Sequence, residues 1–250
     1  MGGMPPMSLK KLRAKSFDIA FHGHAEAILE RDFPECLQEI EDVLAALTFP
    51  IREIVGSGGG ETKGTQRLRH ALDDKAWRKG KFTIKKIIND RERESQTHEI
   101  DHVRVVEGVG TLALEIEWNN KDPFFDRDLE NFKRLHAEGA ISAGIIITRG
   151  VSLQDKFIDL VEKFGMRENL HTVEDLERLG LVPTARQQAD YDRRQRGKKT
   201  FVRSWAESFV ADKFGAATTH WRKLQDRVQR GVGSPCPLLL IGLPAALVTG

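Results

Sequence analysis

The chain has 250 residues, of which 40% are hydrophobic and 30% charged, with a formal net charge of +2. That is apolar material enough for a sizeable core, and it excludes a disordered or fibrous chain. Cys36 and Cys236 stand far apart without metal-ligand spacing, which excludes a zinc site or a disulfide framework and fits a reducing compartment, the cytoplasm. The opening segment MGGMPPMSLKKLRAK has no long apolar run, and residues 237–248 are broken by Gly242 and Pro244, so neither reads as a leader or a membrane span.

In chain order, residues 16–25 alternate loosely as a strand, and residues 33–47 carry apolar positions at helical spacing before Pro50. A Gly-rich stretch at 56–60 leads into a polar helix over 61–77, then a β-branched strand over 81–89 and a charged turn region over 90–97. Residues 99–106 and 111–118 form two strands joined by Glu107-Gly108-Val109-Gly110, a hairpin that would bring Asp101 and Glu115 together. Asp122-Pro123 reads as a helix N-cap with proline at the first helical position, and Phe125, Leu129, Phe132 and His136 share one face of the helix that follows to 138. A buried strand spans 143–148 beside the hairpin, and an amphipathic helix spans 153–164. Residues 181–199 read as loop, 201–214 and 218–230 as helices, and 236–248 as a closing apolar strand. With no repeat or linker, the pattern predicts one α/β domain, residues 1–250, around a mixed central sheet.

Charge is unevenly spread. Residues 186–230 carry 12 Lys+Arg against 5 Asp+Glu, and the rest of the chain 27 against 32. A second basic run, Lys63, Arg67, Arg69, Lys75, Arg78, Lys79 and Lys81, precedes the hairpin. Basic runs beside acidic chemistry fit a polyanionic substrate, though each run alone is equally well a solvated helix face. The Gly-rich stretch is not a nucleotide cradle: Lys63 is followed by Gly64 instead of Ser or Thr, and Glu61 stands where a dinucleotide fingerprint needs glycine. Its glycines would let backbone approach a nucleic-acid phosphate.

The acids of the hairpin are the sharpest signal. Glu115 and Glu117 are two apart on a strand whose other residues, Leu112, Ala113, Leu114, Ile116 and Trp118, are those of a core, so both point the same way. Buried unpaired carboxylates are costly, and a hard divalent cation is a common remedy. Together with Asp101 they suit metal-dependent phosphodiester cleavage, although an Asp followed by Glu-x-Glu also arises by chance on strands. His98 and His102 fit structural or phosphate-contacting roles better than Mg²⁺ ligation, and Trp118, Phe124 and Phe125 read as core.

EIDHV at 99–103, LALEIEWNNKDPFFDRDLENFKRLH at 112–136 and GAISAGIIITRG at 139–150 resemble the type II restriction endonucleases related to BglII and BstYI, within the PD-(D/E)xK nuclease group. GSGGGETKGTQRLRHAL at 56–72, FGAATTHWRKL at 214–224 and PCPLLLIGLP at 235–244 extend the likeness over most of the chain. The resemblance implies a restriction-endonuclease-like core at roughly 50–165, with a basic helical region for DNA binding or dimer contact at roughly 186–250. It implies that Asp101 and Glu115 bind one or two Mg²⁺ ions and that Glu117 stands where the wider group usually has lysine; Gln and Glu are known alternatives there. Glu117 is then a candidate to orient the attacking water, directly or through the metal, Lys121 a candidate cation near the phosphate, and Glu61 a further acid near the metal, its alternative being an ordinary acid at a helix start.

For DNA contacts the candidates are Lys63 and Arg67, then Asn119 and Asn120, which are equally ordinary turn residues. They continue with the run Arg193, Arg194, Arg196, Lys198 and Lys199, and with Thr218, Thr219, His220, Arg222 and Lys223 at a helix start. The resemblance implies double-strand cleavage at a short palindromic site leaving 5′-phosphate ends, paired in function with a cognate DNA methyltransferase, and the two-fold symmetry of such a target implies a homodimer. A structure-specific repair or recombination nuclease of the same fold and a non-catalytic DNA-binding regulator are the rival expectations.

Overall fold

Alternating apolar residues at 112 and 114, at 145 and 147, and at 239 and 241 set three strands side by side in the middle of one sheet. The computed structural model describes residues 8–56 and 61–250, so residues 57–60 of the Gly-rich stretch lie outside the described residues. The elements run α1 (Lys10–Ala14), β1 (Asp18–His22), α2 (Ala25–Asp32), α3 (Pro34–Ala46), β2 (Phe49–Pro50), α4 (Ile51–Val55) and α5 (Lys63–Asp73). There follow β3 (Arg78–Ile88), β4 (Arg91–Val106), β5 (Gly110–Glu117), α6 (Phe124–Ala137), β6 (Ala143–Arg149) and α7 (Val151–Arg167). The chain continues through α8 (Val173–Arg178), α9 (Ala185–Gln195), α10 (Phe201–Phe214), α11 (Trp221–Gln229), β7 (Leu238–Leu243) and β8 (Val248–Thr249).

The main sheet has six strands in the order β1-β7-β6-β5-β4-β3. Strands β5, β6 and β7 are parallel, whereas β1 is antiparallel to β7 and the β3–β4–β5 meander is antiparallel throughout. A parallel trio needs helices on both faces, and its strands are accordingly apolar on both sides. One face carries Leu112, Leu114, Ile145, Ile147, Leu239 and Ile241 against α3, α5, α7 and α10. The other carries Ala113, Ile146 and Leu240 against Phe125, Leu129 and Phe132 of α6 and Trp221 and Leu224 of α11. Helix α6 lies so close that a Cβ on Gly144 would come within 2.3 Å of the Phe132 ring, which is why β6 has glycine there. Gly108, at φ +73°, turns the β4–β5 hairpin.

Four expectations are corrected. Residues 91–97 belong to β4: Asn89 and Asp90, both at positive φ, make the whole turn, and the strand beyond it has no apolar alternation because most of it is exposed. Residues 185–195 form α9 instead of loop, started by a capping box between Thr184 and Gln187; only Tyr191 is buried, so the helix has no apolar stripe to announce it. Asp122 does not cap α6, because its carboxylate is drawn to Lys223 at 3.2 Å and Arg227 at 3.6 Å, and Pro123 itself takes the cap position. Phe124 is not core: it is 38% exposed under the Arg127 guanidinium.

Candidate active site

The carboxylates assemble where the meander loses its regularity. In the β3–β4 ladder Arg78 pairs with Val103 and Gly80 with Ile100, which leaves Asp101 and His102 facing the single residue Lys79. This is a β-bulge, a device that re-aims side chains. On the other side the ladder between β4 and β5 ends at His102 and Leu114, and the next N–H, that of Asp101, donates to Glu115 Oε2 at 3.3 Å. Asp101 is thus released from both ladders, its side chain exposed, with Glu115 buried beside it at 3% exposure.

Glu115 and Glu117 point from β5 towards α6, where a third acid, Asp128, is wholly buried. Burial, then the charges of Asp101 and Asp128, push Glu115 up to about 10. Burial, then Asp128, pushes Glu117 up to about 9. Burial also raises Asp128, although Arg127 works against it. Glu117 Oε2 accepts from Asn120 Nδ2 at 2.9 Å, Arg127 Nη2 is 3.6 Å from Glu117 Oε1 and 2.7 Å from Asp128 Oδ1, and Asp128 Oδ2 has no donor among the described residues. Asp128 escaped sequence reasoning although a signal was present: it sits on the stripe of Phe125, Leu129 and Phe132, at i+3 from Phe125, where an acid is out of place.

On the α5 side of the sheet, at the end of β5, opens a cleft of about 340 Å³ lined by Glu61, Thr62, Thr65, Arg69, Asp101, His102, Ile116, Trp118, Asn119 and Asn120. Its helical wall is fixed by the N-cap of α5, where Thr62 Oγ1 accepts from the Thr65 N–H at 3.2 Å. Its opposite wall is the end of β5, where Trp118 stacks on Phe49 with ring centroids 4.7 Å apart. The cleft gathers Glu61, Asp101, Asn119 and Asn120; Glu115 and Glu117 lie on the other, α6 face of β5, and neither they nor Lys121 and Lys63 line it. Among the described residues no three His, Cys, Asp or Glu side chains are already arranged to hold a metal ion. The oxygen donors of Asp101 and Glu115, adjacent and short of positive charge, still fit a hard divalent cation by chemistry.

The family model of the restriction endonucleases BglII and BglIII matches residues 17–243. The chain belongs to this family. It is a site-specific deoxyribonuclease, a type II restriction endonuclease, and the six-stranded mixed sheet flanked by helices is consistent with the restriction-endonuclease-like fold. No curated protein gives a match. No helix among the described residues of the endonuclease is long and apolar enough to cross a membrane.

The segment after the Glu-x-Glu strand is locked to the segment before α11. Lys121 bridges Thr218, the Asp122 N–H donates to Ala217 O at 3.0 Å, and the Thr219 N–H donates to Asn120 O at 2.8 Å. Arg149, 0% exposed, ties the junction together: Nε donates to Trp118 O at 2.7 Å, Nη1 to Phe214 O at 3.2 Å, and Nη2 to Thr219 O at 2.6 Å and Thr218 Oγ1 at 2.5 Å. Burial lowers its pKa to about 9. Two parts of the endonuclease that are far apart in sequence, 119–121 and 218–220, are therefore joined into one unit, and no local pattern reveals Arg149 as its hub.

Most basic candidates in the endonuclease are engaged by protein acids. Arg67 lies 2.7 Å from Glu53, Arg193 and Arg194 contact Asp190, Lys199 lies 2.6 Å from Glu207, Arg222 is bidentate on Asp155 at 2.8 Å, and Lys223 reaches Asp122. Lys63 and Lys198 are exposed with no ion pair among the described residues. Thr219 and His220 are buried at 0% and 7% exposure. Burial and the nearby Arg149 and Lys223 lower His220 to about 4, so it is neutral at physiological pH.

Proposed function

We propose that the endonuclease is a homodimer that uses Mg²⁺ to cut both strands of a short palindromic DNA sequence, leaving 5′-phosphate ends, in the cytoplasm alongside a cognate DNA methyltransferase. The observation that carries this reading is Asp101, freed by the bulge, with its N–H on Glu115 and its side chain on the cleft shared with Glu61, Asn119 and Asn120. Residues 1–250 act as one domain, with the acids in the segment of roughly 50–165 and the basic helices of 186–250 contributing to the DNA face or the dimer contact.

Asp101 and Glu115 would hold one or two Mg²⁺ ions, which supply Lewis-acid stabilisation of negative charge on the phosphate oxygens. The chain's own residues do the positioning. Glu61, exposed on the cleft, takes the proton of the attacking water or orients that water. Glu117 is held from behind by Asn120 and Arg127 and fixes the direction of the Asn119–Asn120 turn. Lys63, Lys121, Lys198, Asn119 and Asn120 contact the backbone of the duplex. Arg67, Arg193, Arg194, Lys199, Thr218, Thr219, His220, Arg222 and Lys223 are the further candidates for DNA contact, the charged members exchanging protein acids for phosphate where DNA approaches. A two-fold target matched by one such site in each of two subunits gives the double-strand break.

Digestion of a plasmid of known sequence with Mg²⁺, followed by sequencing of the ends, tests the reading. Discrete fragments with one recurring palindrome and 5′-phosphate ends are expected, and Asp101→Ala should lose at least about 100-fold in rate while still binding DNA. Cutting governed by DNA structure instead of sequence, or full Mg²⁺-dependent activity in Asp101→Ala, would overturn it.

A further inference from the structure

The cleft presents two carboxylates, Glu61 and Asp101, to a substrate that is itself an anion, and beside the metal a cation on its wall would offset their repulsion. Among its ten lining residues one carries a positive charge, Arg69. We propose that Arg69 binds a non-bridging oxygen of the phosphodiester that is cut, a role that rests on the function proposed above.

The geometry that places it is local. Thr62, Thr65 and Arg69 follow one another at helical spacing on the same face of α5, and all three line the cleft. Thr62 and Thr65 are buried at 4% and 5% exposure, and Leu68 and Leu72, on the adjoining stripe of the helix, are buried at 0%. The helix is thereby fixed, whereas the guanidinium is free to move. Its side chain is 46% exposed, and Nη1 rests 3.0 Å from Glu61 Oε2. An exposed ion pair of this kind contributes only about 0–1 kcal/mol, so little opposes its exchange for a phosphate. A planar guanidinium also matches two phosphate oxygens at once, which an ammonium cannot do.

The other nearby cations are less well placed. Lys79 faces Asp101 across the bulge, but its Nζ lies 2.9 Å from Glu99 and the residue is not on the cleft wall. Lys121 pairs with Thr218 through its backbone and does not line the cleft. Arg127 is held by Asp128 and Glu117 on the α6 face of β5. When Arg69 moves to the phosphate it also releases Glu61, so one displacement supplies the cation and frees the acid beside it.

The test compares wild type, Arg69→Ala, Arg69→Lys and Lys79→Ala in single-turnover cleavage at saturating DNA, with thermal melts to establish folding. It adds binding in Ca²⁺ to duplexes that carry either a normal phosphate or a neutral methylphosphonate at the mapped cut position. Arg69→Ala should slow cleavage by about 100-fold or more, with partial recovery in Arg69→Lys. It should weaken binding of the normal duplex by about tenfold and of the methylphosphonate duplex not at all, because there the charge it meets is gone. Wild-type cleavage by Arg69→Ala, an equal binding loss on both duplexes, or a rate loss in Lys79→Ala in its place would overturn the assignment. Absence of cutting by the wild type would overturn the proposed function together with it, whereas an unimpaired Arg69→Ala beside an active wild type overturns this assignment alone.

Discussion

Replacing Glu117 by glutamine removes one of three carboxylates packed between β5 and α6 and keeps its shape. The amide oxygen still accepts from Asn120, and the new N–H₂ can donate to the Asp128 oxygen that lacks a donor. Glu117 is raised from 4.5 to about 9, first by burial and then by Asp128. A carboxyl whose folded pKa lies above its unfolded one binds its proton more tightly in the native state. Its contribution is fully present below about pH 4.5 and is lost progressively as pH rises towards 9, since the unfolded chain ionises freely and the native chain does not. At pH 8 the span of roughly 3.5 pH units corresponds to at most about 5 kcal/mol, and sharing of the charge with Asp128 reduces this to a few kcal/mol. Glu117→Gln should therefore unfold at nearly the wild-type urea concentration at pH 5 and gain stability steadily to pH 8 in EDTA. A gain of about 2 kcal/mol corresponds to a melting shift of roughly 4–8 °C for a chain of this size. A variant no more stable than wild type at pH 8, or one whose advantage does not grow with pH, would refute the reasoning. The same variant should lose cleavage, the pattern of a site kept strained for function.

Two further outcomes follow from the junction and the DNA face. Arg149→Ala strips the hydrogen bonds from the buried carbonyls of Trp118 and Thr219, whereas Phe214 O keeps its bond from Gln154 Nε2, and at roughly 1–3 kcal/mol for each unsatisfied group it should cost at least about 2 kcal/mol in a urea titration; a change below 1 kcal/mol would show the junction to be held otherwise. Lys63→Ala should lower the slope of log binding constant against log salt by about one, because its side chain is exposed without an ion pair among the described residues; an unchanged slope would remove Lys63 from the phosphate contacts.

The strands β5 and β6 and the hairpin joining β4 to β5 were legible because core strands declare themselves through apolar β-branched runs and glycine turns. Asp101 and Glu115 were legible as neighbours for the same reason, register following from the hairpin. The bulge was not, since it arises from how β3 pairs with β4 and leaves no mark on residues 99–103. Helix α9 was hidden by its polarity, and the β3–β4 turn by a strand exposed along most of its length. The cleft escaped because it joins α5 to the end of β5, and the 119–121 junction because its partner lies about a hundred residues on. Long-range pairings of this kind come from tertiary packing, which local periodicity does not encode.

Strand β7 lies between β1 and β6, although it follows every other strand of the main sheet in sequence. Its register couples Asp18 to Gly242 on one side and Gly144 to Leu238 on the other. Until those residues have been synthesised, β1 has no neighbour and the parallel trio lacks a member, so a growing chain carries the acids of β4 and β5 on an unfinished sheet. Folding must wait for this late insertion, which makes it a slow, high-contact-order step. The DNA-cutting machinery is thus assembled only when nearly the whole polypeptide is present, and truncation before residue 238 should release a chain that neither folds nor cuts.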